Sequence, residues 1–138
     1  MYNLLIPPYI RMLQNLLLIL DKGQQFCLSK EIDENILLNS RLHPTQFTFI
    51  KQVQLCCDAA KYTSAGLSGK IPPRFEDFET SFDELKVRVN KTIDYLRTVR
   101  PELVEACKGR KIHLPWASHQ YLMGDQYAIQ IGMPNFYF

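Results

Sequence analysis

Thr45-Gln-Phe-Thr-Phe-Ile-Lys-Gln-Val-Gln-Leu-Cys-Cys-Asp-Ala-Ala-Lys-Tyr-Thr-Ser-Ala-Gly-Leu67 is the stretch that decides the fold. On a wheel with about 100° between neighbours, Phe49, Ile50, Val53, Cys56, Cys57 and Ala60 gather on one side, while Lys51, Gln54, Asp58 and Lys61 fall within roughly 80° on another. The spacing predicts an amphipathic helix over residues 45–67. Its small residues, Cys56, Cys57, Ala59 and Ala60, let neighbouring helices approach on more than one side, which predicts a place in the middle of a bundle.

Working outward, the N-terminal side carries Ile6, Tyr9, Ile10, Leu13, Leu16, Leu17 and Leu20 at helical spacing, predicting a first bundle helix from Tyr2 to about Leu28. Pro7 and Pro8 lie near its beginning, so either the helix starts there or its first turn is kinked. Asp33-Glu34-Asn35 starts a short connector helix over Ile36, Leu37 and Leu38, and His43-Pro44-Thr45 turns the chain into the central helix.

On the C-terminal side, Gly66, Gly69, Pro72 and Pro73 break the periodicity, and residues 74–79 read as a charged loop. Ser81-Phe82-Asp83-Glu84 fits a capping box, followed by Leu85, Val89, Ile93 and Leu96 on one face, predicting a helix over 81–98. Lys86, Arg88, Lys91, Asp94 and Arg97 read as its solvated face. Pro101 opens another short helix that ends at Gly109. Residues 111–115 and 118–122 alternate with period two, predicting a hairpin anchored by Trp116. Gly124-Asp125 starts the last helix, which Pro134 should kink. It closes on Phe136-Tyr137-Phe138, three rings that suggest a curtailed helix or a surface covered by a partner.

Composition narrows the function classes. A chain of 138 residues, 46% hydrophobic and 22% charged, is the size of one domain with one core. Sixteen Lys and Arg are interleaved with fourteen Asp and Glu, so there is no basic face for nucleic acid. Cys27, Cys56, Cys57 and Cys107 have neither finger spacing nor a framework pattern and read as reduced core thiols, which fits the cytoplasm. The longest uninterrupted apolar run, Leu16–Leu20, is far shorter than the roughly 20 residues of a bilayer span, so no membrane anchor or export signal is expected.

No catalytic motif stands out. The polar stripe of the central helix is the one functional candidate, and it has two readings. Asp58 and Lys61 read first as an exposed ion pair, worth less than about 1 kcal/mol. If the stripe instead faces the last helix, Gln54, Asp58 and Lys61 would be joined by Asn135 and Tyr137 in a polar pocket for a small molecule. Those five residues are the candidate site.

Leu20-Asp21-Lys22, the block Lys51-Gln-Val-Gln-Leu-Cys-Cys-Asp-Ala-Ala-Lys61, the block Pro72-Pro-Arg-Phe-Glu-Asp-Phe-Glu-Thr-Ser-Phe82 and Pro134-Asn-Phe-Tyr-Phe138 occur in an order that resembles the domain-of-unknown-function family numbered nineteen-ninety-three. The resemblance covers nearly the whole chain. That family is similar in fold to the DinB-like superfamily, which implies an all-α, four-helix bundle with short connector helices and a small β-hairpin before the last helix. It also implies one domain over 1–138 whose fourth helix stops short. Many DinB-like proteins hold a divalent metal with three histidines on two helices, activating water or a thiol. His43, at a helix start, and His113 and His119, in the hairpin, do not match that arrangement, so no metal ligands are assigned and a divalent metal is left unsupported by this chain.

Two classes of function are therefore expected. The leading one is a cytoplasmic binding or interaction domain forming a homodimer, with a small-molecule ligand and no nucleic-acid or membrane partner. The alternative is a DinB-like metal-dependent hydrolase or thiol transferase whose metal site is incomplete in this chain.

Overall fold

The computed structural model describes the backbone of residues 1–138 and every side chain except that of Ser118. The chain runs through α1 (Tyr2–Ser29), α2 (Glu34–Leu38), α3 (Phe49–Ser68), α4 (Phe82–Arg97) and α5 (Pro101–Glu105), which passes into a 3-10 turn at Ala106–Gly109. The hairpin β1 (Lys111–Leu114) and β2 (Ala117–Met123) follows, and the chain ends in a rod built from α6 (Gly124–Tyr127), a π-helical turn (Ala128–Gly132) and α7 (Met133–Tyr137). The architecture is a helical bundle with one two-stranded antiparallel hairpin.

Local chemistry sets most boundaries. The Asp33 side chain caps α2 by accepting from Asn35 N, and the Ser81 hydroxyl caps α4 by accepting from Glu84 N. Glu84 reaches back one residue further than a capping box requires, to the Thr80 amide at 2.7 Å. The central helix starts later than its spacing predicts, because the Thr48 hydroxyl accepts from Lys51 N and ends the turn that contains Pro44. It ends at Gly69, whose φ of 67° only glycine adopts without strain. The Arg110 guanidinium reaches over that glycine to donate to the Leu67 carbonyl, tying the start of the hairpin to the end of α3.

The prolines are accommodated in two ways. α1 starts ahead of Pro7 and Pro8 and continues through them, its first turn being held by Glu105, which accepts from the Met1 amino group and the Tyr2 amide at 2.9–3.0 Å. Before Pro134 the rod widens into a π turn, an accommodation for a residue that cannot donate to the preceding turn.

α4 packs along both α1 and α3, which touch each other only briefly. Leu5, Ile6, Tyr9, Leu13 and Leu20 of α1 meet Leu85, Val89, Ile93 and Leu96 of α4 and Val53, Cys57 and Ala60 of α3 in one core. Fully burying each such aliphatic side chain contributes roughly 1.5–3 kcal/mol. The last rod closes over α3 and α1, with the Phe136 ring 4.1 Å from that of Tyr9. Trp116 is no anchor: it sits in the hairpin turn and is 66% exposed, the hairpin being held instead by Leu114 and Ile112.

The rod approaches α3 at Gly132, where a Cβ would fall 2.4 Å from Thr63 Cγ2 and 2.7 Å from its Oγ1. Alanine ordinarily favours a helix over glycine by up to about 1 kcal/mol, but here the overlap decides the sign. Gly132→Ala should destabilise the protein by about 1–3 kcal/mol in urea unfolding. In a Thr63→Ala background most of that loss should disappear, and strictly additive effects would contradict the contact.

Candidate ligand-binding site

The polar stripe of α3 is buried. Lys61 and Gln54 are core residues, so the exposed Asp58–Lys61 pair read from the sequence is corrected: Lys61 Nζ lies 2.8 Å from Asp58 Oδ1 with its side chain 1% exposed. The cause is a counter-charge from α4. Arg88, expected on a solvated face, has a side chain only 1% exposed and reaches Asp58 at 3.1 Å, Asp77 at 2.9 Å and Glu79 at 3.1 Å. Gln54 donates to Glu79 at 2.9 Å, and Lys51 holds Asp77 at 2.6 Å. Lys51, Lys61 and Arg88 thus balance Asp58, Asp77 and Glu79.

That balance keeps the burial tolerable, since an ion taken from water costs several kcal/mol unless it is paired. The Lys61 ammonium is further flanked by rings, 4.4 Å from the Phe75 centroid and 4.8 Å from that of Tyr62. Partial burial pushes the Asp77 carboxyl up, but the hydrogen bond from Lys51 and the charges of Arg88 and Lys51 outweigh it, and the carboxyl lies below its ordinary range.

On a different side of α3, a cavity of about 550 Å³ opens between this helix, the hairpin turn and the last rod. Of the five residues singled out in the sequence, Asp58, Asn135 and Tyr137 line it; Gln54 and Lys61 do not, being spent on the ionic network. Asp58 is the hinge between the two environments. Both its ion pairs make their closest contact at Oδ1, and among the described residues no hydrogen bond reaches Oδ2. Sequence reasoning missed Thr63, Tyr62, Trp116 and Tyr127, which also line the cavity. Only the π turn at 128–132 marks their meeting place, since such turns recur at functional sites.

Cys56 borders the same cavity, and burial pushes its thiol up to about 12, so it is protonated at neutral pH. Cys57, deeper in the core, is pushed up to about 11, again chiefly by burial. All four cysteines are free thiols.

The histidines do not fit the three-ligand metal site of DinB-like relatives. His43 lies in the turn before α3 with Nδ1 2.9 Å from Thr45 Oγ1, and His113 and His119 lie on the two hairpin strands. Among the described residues no three His, Cys, Asp or Glu side chains gather where they would hold a metal ion.

Arg88→Met should lower the unfolding free energy at pH 7 by about 3–5 kcal/mol, because three carboxylates lose their shared partner. A carboxyl held low in the folded state stabilises the protein above its ordinary value and ceases to do so as pH falls through the folded value. The gap between wild type and variant in urea titrations should therefore narrow towards pH 3, and a gap constant with pH would contradict the network.

Comparison with known proteins places this geometry. A DinB family member protein from Shewanella denitrificans, solved by crystallography, superposes with a TM-score of 0.94 at 37% identity over 99% of this chain and 78% of that one. No curated protein matches the chain. The bundle with its hairpin is a DinB-like fold, and the family model described as a domain of unknown function, DUF1993, matches residues 1–138: the chain belongs to that family.

Proposed function

We propose that this protein is a binding domain that takes a small organic molecule in the cavity between α3, the hairpin turn and the last rod. The observation that carries this reading is the convergence of Asp58 with Asn135 and Tyr137, from the distant last helix, on one concavity of about 550 Å³, within the range of ligand sites. A few polar atoms set among apolar and aromatic walls can orient a ligand without reacting with it. The metal-dependent hydrolase or thiol-transferase alternative has no gathered donor set among the described residues to support it, and burial keeps the thiol on the cavity wall protonated at neutral pH.

The same reading includes a homodimer. A second, apolar groove of about 840 Å³ lies beside the first, lined by Ile19, Phe26, Leu37, Phe47, Phe49 and Phe138. Phe138 is 99% exposed and Phe26 about half so, and exposed apolar surface of this kind favours cover by a second copy. A cytoplasmic location without nucleic-acid or membrane partners accompanies this reading. It is supported by the free thiols and by the interleaving of basic with acidic side chains. By length and composition α1 is apolar enough to cross a membrane, but Leu5, Ile6, Tyr9, Leu13 and Leu20 are buried in the bundle core.

Trp116, the single tryptophan, borders the cavity and reports on it. A fragment library screened by its fluorescence should yield ligands whose affinity falls at least about tenfold, or 1.4 kcal/mol, on Asn135→Ala. Hits indifferent to that change, or no hits, would count against the cavity. Light scattering at micromolar concentration should give the mass of two chains, falling to one with Phe26→Glu, and a monomeric wild type would remove the dimer.

A further inference from the structure

We infer that the cavity selects an organic cation, an ammonium group carried on a small apolar body. The inference rests on the binding reading above and names the ligand class for the same site. Asp58 is the only charged side chain among the described residues that line the cavity, and no lysine, arginine or histidine lines it. Around it stand the rings of Phe47, Tyr62, Trp116, Tyr127, Phe136 and Tyr137.

The charge arithmetic of the neighbouring network points the same way. Lys61 and Arg88 make their closest approach to Asp58 at Oδ1 and do not line the cavity. Three cations already balance three carboxylates there, so an anion entering beside Asp58 would meet a carboxylate with no free cation to pair with. An ammonium would meet Oδ2, which has no hydrogen-bond partner among the described residues, and aromatic side chains whose quadrupoles attract positive charge. The protein uses this chemistry on itself, since the Tyr62 ring that lines the cavity also flanks the Lys61 ammonium at 4.8 Å. A neutral molecule of the same shape would gain the apolar contacts and forfeit the rest.

Three probes of nearly equal size separate the cases: 2-phenylethylammonium, 2-phenylethanol and phenylacetate, titrated into the full chain at pH 7 by calorimetry and by Trp116 fluorescence. The ammonium should bind at least tenfold more tightly than either of the others. Asp58→Asn should abolish that preference, and Tyr62→Leu, which leaves the ion pairs in place, should reduce it severalfold should the first variant fail to fold. Equal binding of the three, preference for the alcohol or the anion, or no binding by any of them would overturn the cation assignment. Neutral or anionic hits from the wider library would then leave the binding reading standing, whereas an empty library would remove both.

Discussion

The buried guanidinium of Arg88 is the constraint on which the rest of the structure depends. A charge in the core must be matched, and the carboxylates of α4 itself are engaged elsewhere, Glu84 with the Thr80 amide, Asp83 with Lys86 and Asp94 with Arg97. The matching groups come from α3, through Asp58, and from the segment between α3 and α4, through Asp77 and Glu79. That segment has neither helix nor strand, yet it is pinned across the bundle because releasing it would strand a desolvated cation. Replacing every member by apolar groups of equal volume is a route open to such networks in principle; removing one member is not.

The network also explains why a cavity can exist next to a closely packed core. Gln54 and Lys61 are drawn towards Glu79 and the Phe75 ring, which turns the strongly polar side of α3 inward. Roughly 80–200° further round the helix, the small and aromatic residues Ala59, Tyr62 and Thr63 are left to meet the last rod. At Thr63 the rod comes so close that position 132 has no room for a Cβ, while either side of that contact the walls part. The π turn at Ala128–Gly132, imposed ahead of a residue without an amide hydrogen, sets how the rod lies on α3 and thereby shapes the space.

Membership of the DUF1993 family and likeness to a DinB family member fix the architecture but carry little chemistry, since function resides in sites and not in folds. The chemistry of this chain lies in the use made of the helix-to-helix interior. One histidine lies in the turn before α3 and the other two on the hairpin strands, while a carboxylate shared between an ionic network and an aromatic cavity stands on α3.

The sequence by itself determined the helices, their order and most of their limits, the start of the central helix excepted. Apolar residues three and four apart in α1, α3 and α4 leave no other regular structure that hides them, and Asp33, Ser81 and Pro101 mark the starts as their chemistry requires. It also brought Asp58, Asn135 and Tyr137 forward as residues of one site. Only the tertiary structure decided that Arg88, Lys61 and Gln54 are interior, that Trp116 is not, and that the segment bearing Asp77 and Glu79 crosses the bundle. The reason is physical: a helical wheel records the direction in which a charge points, and the same direction serves solvent or core according to whether another segment arrives with the opposite charge. That arrival is a long-range event, and no local spacing encodes it.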